Sequence, residues 1–377
     1  MTLEIPVSSE VANEERASAV LTPRMPGLDL LRGVAILAVI FYHGFSHSAP
    51  RLVLPNRPVA FLYHLTGWGW LGVNLFFILS GFLITGLLQE SLSEKRYYGR
   101  FYIRRALRIL PAYLATLLLV WSFGFVHLPY IFVCIFFLAN VPGFFLAPGF
   151  AFYGPLWSLA VEEQFYLVWP FLQRRLAQRT ILAICCGLIL VCPILRWLIE
   201  RHLLFAGQPS TRSWTFADNL AIGAALAFVA RMPQVSLRQF AAMGRWLFVS
   251  GAAGLVVLAA IHQLRRGLGA SLGVSLFMLM GAGMMIWALR TFCSGSVPPP
   301  LRILIFFGDI SYGLYLIHAL CLMLYDRFAG EGVRSSVQGM TIRFVIANGV
   351  AIGIATLSRR TFEQWFLGLR YRFRAAA

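Results

Sequence analysis

Charge is scarce in this chain: 12% of its 377 residues are charged against 59% hydrophobic, where an ordinary soluble domain carries roughly a quarter charged residues. That balance excludes a fold solvated by water alone. Metal-ligand spacing is missing as well. The six cysteines, Cys134, Cys185, Cys186, Cys192, Cys293 and Cys321, lie in or at the edges of apolar runs. They read as small apolar residues rather than as a disulfide framework or a metal site. No positive n-region opens the chain. Residues 1–24 are polar and carry Glu4, Glu10, Glu14 and Glu15, which does not fit a cleavable signal peptide and reads as a disordered cytoplasmic tail. Internal repeats and low-complexity linkers are absent, so one membrane domain is expected over 25–360, followed by a basic cytoplasmic tail over 361–377.

What the chain does have is apolar runs of about 20 residues, the length that crosses roughly 30 Å of hydrocarbon. They are continuous rather than alternating, which favours helices over a barrel, because backbone groups in lipid must be satisfied within the segment. Spans are predicted at 28–47, 68–89, 107–126, 154–172, 180–199, 214–230, 246–263, 268–290, 303–325 and 340–358. The stretch 128–152 is apolar but broken by Pro129, Pro142, Gly143, Pro148 and Gly149, and is expected to be re-entrant or to lie at the interface. The fold class is therefore an all-α integral membrane bundle of about ten transmembrane helices.

With the N-terminus inside, the inner loops collect Lys95, Arg96, Arg100, Arg104, Arg105 and Arg108, then Arg174, Arg175 and Arg179, and finally Arg359, Arg360, Arg370, Arg372 and Arg374. The outer loops hold fewer basic residues, among them Arg51, Arg57, Arg201 and Arg212. This bias predicts that both ends are cytoplasmic. It also accounts for the formal charge of +17 without nucleic acid, since no basic stripe with interleaved aromatics stands apart from the spans.

Polar groups inside spans are costly and mark functional candidates. Arg32 and His43 share the first span. Eleven residues are about three helical turns, so both side chains lie on nearly one face, ~16 Å apart in depth, and are expected to line one cavity. A neutral His43 suits a general base; a structural interhelical hydrogen bond is the plainer alternative. His43 and His47 are also spaced i, i+4, but no third metal ligand is evident.

Arg105 and Arg108, with Arg104 beside them, open the third span. Their guanidinium forks suit phosphate oxygens, or else hold topology and meet anionic lipid. Glu162 and Glu163 sit together in Trp157-Ser158-Leu159-Ala160-Val161-Glu162-Glu163-Gln164-Phe165-Tyr166. One is expected to face the cavity, while the other pairs with a buried cation or stays protonated. In the run from Gly72 to Phe82 the small residues point to close helix contact. His318 is read as structural support.

Five ordered segments together resemble acyltransferase family 3, the bacterial membrane acyltransferases that modify cell-surface and secreted glycans. They are Arg32 with His43, Gly72-Val73-Asn74-Leu75-Phe76-Phe77 through Ser80-Gly81-Phe82, Arg105 and Arg108 before Pro111 and Tyr113, Trp157-Ser158-Leu159 through Tyr166, and Ile310-Ser311-Tyr312 through His318. Leu30 and Asn74 depart from the common glycine and aspartate.

The resemblance implies a ten-helix domain in the bacterial inner membrane. It implies His43 as the catalytic histidine, Arg32 as its required partner, and Arg105 and Arg108 as contacts for acyl-coenzyme A. Acetyl is the expected acyl group and succinyl the chief alternative. The expected acceptor is a hydroxyl on a carbohydrate or lipid-linked glycan, with His43 acting as base or as acyl carrier, and Glu162 or Glu163 holding its tautomer or touching the acceptor. No metal is called for, and membrane lipids are the remaining partners. No appended esterase-like domain is expected after the last span. A proton-coupled transporter or a glycolipid exporter is the rival reading, although the paired half-sequences common in transporters are not seen.

Overall fold

The computed structural model describes residues 16–22, 24–48, 54, 56–141, 153–201, 213–261, 267–293 and 295–375. Helices account for the architecture: α1 Pro26–Phe41, α2 Arg57–Thr66, α3 Gly72–Glu90, α4 Tyr97–Ser122, α5 Leu128–Ile135, α6 Leu156–Arg175, α7 Gln178–Glu200, α8 Ala217–Val229, α9 Leu237–Ala260, α10 Gly267–Thr291, α11 Arg302–Ala329, α12 Val337–Arg360 and α13 Phe362–Ala375. No strand occurs among the described residues. Local signals place several ends. Pro26 opens α1, where a missing N–H costs nothing. Asn56 caps α2 by accepting from Val59 N at 3.0 Å, and Ser236 with Gln239 forms a capping box for α9, satisfying two otherwise orphaned donors.

A helix occupies each of the ten predicted windows. Among the described residues, seven helical segments are long and apolar enough to cross a membrane on their own: Pro26–Ser46, Arg57–Glu90, Gln178–Glu200, Leu237–Ala260, Leu268–Thr291, Pro299–Ala329 and Val337–Leu369. Among the rest, α4 and α6 carry Arg105, Arg108 and Glu162 of the candidate site, and α8 has only 13 residues, about 20 Å at 1.5 Å per residue. One boundary needs correction. α4 begins at Tyr97, ten residues before the predicted span, so Arg100 and Arg104 ride on the same helix as Arg105 and Arg108. The four arginines hide the start of the helix from a hydropathy reading.

Small residues make α1 the axis of the bundle. It packs chiefly on α11, and also on α3 and α10. A Cβ on Gly27 would meet Ala288 O, one on Gly33 would meet Leu304 O, and one on Gly72 would meet Ala35 O. The expected packing role of the Gly72–Phe82 run holds further along, where Gly81 lies against Leu220 O and Gly223 of α8 against Ile78 O. Polar glue is present too. Arg196 of α7 and Asp218 of α8 form a buried pair at 2.7 Å, and Arg196 Nη2 also donates to Ser275 Oγ at 2.5 Å.

In the segment after α4, no described helix is long enough to cross a membrane. α5 has eight residues, about 12 Å of helix, and ends in turns with Phe137 at φ 53°. Residues 142–152 of the expected re-entrant stretch lie outside the described residues. Hydroxyls and amides tie the described part to the bundle. Tyr113 donates to Cys134 O at 2.8 Å, and Gln164 Nε2 donates to Phe137 O at 2.7 Å and to Asn140 Oδ1 at 2.9 Å. Tyr130 donates to Tyr153 O at 3.1 Å and accepts from Tyr153 N at 3.2 Å. Tyr130→Phe strips both bonds from a buried hydroxyl, and should lower stability by about 1–3 kcal/mol, read as a fall in detergent thermal unfolding with little change elsewhere.

Both expected tails contain structure. Ala17–Val20 forms a short turn with Ala17 and Val20 buried and Ala17 N donating to Val235 O at 3.0 Å, while residues 1–15 lie outside the described residues. The basic C-terminal stretch is the helix α13, whose Glu363 is buried.

Candidate active site

Three cations and one carboxylate meet inside the bundle. Arg32 from α1, Arg105 and Arg108 from α4 and Glu162 from α6 line one cavity of about 110 Å³, together with Ser80, Ser158, Tyr166, Ser311, Tyr312 and Tyr315. The i, i+3 spacing on α4 sends Arg105 and Arg108 to the same side, whereas Arg104 is not among the lining residues. Arg32 Nη1 donates to Asp29 Oδ1 at 2.9 Å. Arg105 lies over the Tyr166 ring at 5.2 Å and the Phe101 ring at 5.9 Å, where the ring faces attract a guanidinium. Neither Arg105 nor Arg108 forms an ion pair with a carboxylate among the described residues. Three guanidinium groups against one lining carboxylate give a positive potential that attracts anions.

The adjacent glutamates divide as their 100° separation requires. Glu162 Oε1 accepts from Ser80 Oγ at 2.8 Å, and Tyr166 donates to Ser80 Oγ at 3.1 Å, with Glu162 Oε2 3.4 Å from the same hydroxyl. Glu163 is not among the lining residues, and its Oε1 is buried with no hydrogen-bond partner. Asn74 is fully buried in α3, and neither of its side-chain amide atoms is hydrogen-bonded.

His43 corrects an expectation, since it is not among the residues lining the cavity that holds Arg32. Phe76, Ser158 and Tyr315 line that cavity with Arg32, and His43 does not. After Phe41, α1 widens into a π-helical turn, Tyr42–Ser46, which contains His43. Such turns insert one residue and re-aim the side chains they carry, and they recur at functional sites. His43 Nδ1 is 3.0 Å from Val39 O and 3.3 Å from His318 Nε2. The two rings lie 5.0 Å apart, and His47 stands 5.4 Å from His43. No group of three His, Cys, Asp or Glu residues that could hold a metal ion occurs among the described residues.

Sequence reasoning missed the hydroxyls that join these parts. Tyr315 lines the cavity and shares a short hydrogen bond with Ser158. Its backbone carbonyl lies 2.8 Å from His318 Nδ1, so this one residue links the arginine cavity to the histidine pair. The signal was present in the spacing: Tyr315 precedes His318 by three residues, and Tyr166 follows Glu162 by four, so each pair shares a helix face.

Arg343 of α12 supports the π-helical turn. Its Nη1 donates to Gly44 O at 3.0 Å, while its Nε and Nη2 donate to Asp326 at 2.5 and 2.9 Å. A second cavity of about 730 Å³ on the reverse face of α1, lined by Val34, Ala38, Phe41 and Phe45 among others, has no charged lining residue.

Comparison with known proteins gives several curated O-acetyltransferases as relatives. The chain is 31% identical over 238 residues to the peptidoglycan O-acetyltransferase OatA of Listeria monocytogenes, covering 54% of this chain and 34% of that protein. It is 36% identical over 162 residues to a putative O-acetyltransferase of Staphylococcus aureus, covering 39% and 24%. To the O-acetyltransferase OatA of Staphylococcus aureus it is 31% identical over 191 residues, covering 45% and 28%. The chain thus spans about a quarter to a third of the length of the curated relatives it matches. No solved structure matches. The family model described as an acyltransferase domain matches residues 25–360, most of the chain and all of the residues just described, and the chain accordingly belongs to acyltransferase family 3.

Proposed function

We propose that the protein is a multi-pass membrane O-acyltransferase that moves an acetyl group from cytoplasmic acetyl-coenzyme A to a sugar hydroxyl of a cell-surface or lipid-linked glycan. The observation that carries this reading is the cavity with Arg32, Arg105 and Arg108 set against the single lining carboxylate of Glu162. An acyl-coenzyme A donor is the anion that suits it, because its phosphates match guanidinium forks and its thioester sits at the end of a long, flexible arm.

In this reading the arm runs from the arginines past Tyr315, displacing the Ser158–Tyr315 hydrogen bond, to reach His43. His43 Nε2 takes the proton of the acceptor hydroxyl as its oxygen attacks the thioester carbonyl. The C–S bond then breaks and coenzyme A leaves as its thiol, taking up a proton. If His43 carries the acyl group instead, the same nitrogen is used, since Nδ1 is already engaged. The same reading puts the arginine-rich loops on the cytoplasmic side, as the bias of basic residues favours, where the donor is found.

The test is acceptor-dependent thiol release from acetyl-coenzyme A by protein purified into nanodiscs, with peptidoglycan fragments and other glycans as acceptors. Loss of a charge-assisted hydrogen bond is worth about 1.5–3 kcal/mol, so Arg105→Ala/Arg108→Ala should raise the donor KM by about 10- to 100-fold or more with a smaller change in kcat. No release with any donor and glycan would sink the acyltransferase reading. Release with an unchanged donor KM in the double variant would remove the arginines from donor capture.

A further inference from the structure

His318 is fully buried, and its ring nitrogens have different surroundings. Nδ1 lies 3.1 Å from Leu314 O and 2.8 Å from Tyr315 O. Carbonyl oxygens only accept, so Nδ1 carries the proton and Nε2 of the neutral ring carries the lone pair. That lone pair is 3.3 Å from His43 Nδ1, which also faces Val39 O at 3.0 Å. With the proton on the other nitrogen of His43, three lone pairs would converge on one point. With the proton on Nδ1, both acceptors are satisfied and Nε2 of His43 is left free.

We propose that His318 is a positioning residue. Its Nε2 accepts the Nδ1–H of His43, which fixes the tautomer whose Nε2 is open for chemistry and steadies the positive ring formed when that nitrogen takes a proton or an acyl group. The inference rests on the proposed function for its chemical consequence but not for its geometry. The proton stays on Nδ1 throughout, so His318 orients and stabilises without itself accepting the proton, as the third member of a catalytic triad does. The arrangement also ties the donor cavity to the reacting nitrogen, because Tyr315 both lines the cavity and holds the His318 ring through its backbone.

The experiment begins with a readout that needs no activity. In full-length protein labelled with [15N]histidine and held in nanodiscs, the His43 signals are assigned by their loss in His43→Ala, and the nitrogen shifts report which ring atom bears the proton. The expected result is a proton on Nδ1 of His43 in the parent and a mixture of tautomers in His318→Leu. A proton on Nε2 in the parent, or an unchanged tautomer in a folded His318→Leu, overturns the proposal, and the parent measurement decides even if that variant does not fold.

Kinetics supply the second arm. His318→Leu should lower kcat by about 10²-fold at an unchanged donor KM, and His318→Gln, whose side-chain oxygen can take the place of Nε2, should recover most of it. Equal losses in both variants at equal thermal stability overturn the positioning role. Transfer that survives in His43→Ala would fail the proposed chemistry instead, and the tautomer result would still stand or fall by itself.

Discussion

His43→Ala is expected to abolish acceptor-dependent acyl transfer, a loss of about 10²–10⁴, while leaving donor capture intact. The two halves of this expectation come from different parts of the structure. Loss of transfer follows because Nδ1 of His43 is engaged by Val39 O and His318, so Nε2 is the nitrogen left to act on an acceptor. Retention of donor binding follows because His43 is not among the residues lining the arginine cavity.

Arg32 gives the opposite pattern. It lines that cavity and pairs with Asp29, so Arg32→Ala should raise the donor KM as the α4 arginines do. Paired measurements of thiol release and of coenzyme A binding separate the two patterns. Binding lost together with activity in His43→Ala would mean that the histidine holds the donor; activity retained would move the chemistry into the cavity, toward Glu162 and Tyr166.

The membrane class and the positions of the helices were legible in the sequence, because the cost of apolar surface in water and of unpaired backbone in lipid leaves few alternatives. The count of strong spans was less legible, since the residues that make the site also interrupt its helices. Arg100 through Arg108 mask the first turns of α4, and Glu162 with Glu163 dilute α6. Four proposed site residues, Arg32, Arg105, Arg108 and Glu162, do come together. Three do not join them: His43, Glu163 and Arg104 are not among the residues that line the cavity.

The misplacement of His43 has a physical reason. A period of 3.6 residues per turn gives the face but not the depth at which a cavity closes, and nothing in the sequence announces the π-helical turn Tyr42–Ser46. Partners such as Ser80 for Glu162, Tyr315 for Ser158 and Arg343 for Gly44 O come from distant segments. Each is set by how the helices cross, and those crossings depend on glycines whose partners a single sequence does not name.

Gly308 and Gly33 are where that dependence should be largest. A Cβ on Gly308 would lie 1.9 Å from Asp29 O, and one on Gly33 would lie 1.9 Å from Leu304 O. Each glycine of the α1–α11 crossing thus faces backbone of the other helix, with no flexible side chain to move aside. Without a hydrophobic drive between helices in lipid, close approach of backbones is what holds such a crossing, and forcing volume into packed contacts typically costs about 1–3 kcal/mol.

Gly308→Leu or Gly33→Leu should therefore prevent a stable fold. Gly308→Ala should lower the unfolding temperature and also weaken donor binding, because Asp29 and Arg32 sit at that crossing. Gly349→Ala and Gly353→Ala on α12 are the matched controls: a Cβ there meets nothing within 4 Å, and these changes should be neutral or slightly stabilising, as helix propensity favours alanine by about 1 kcal/mol. Thermal unfolding and the monodisperse fraction in detergent, read with donor binding, decide the matter. A Gly308→Ala protein as stable as the controls would show that the two helices do not approach this closely, and the placement of Arg32 beside the α4 arginines would lose its structural basis.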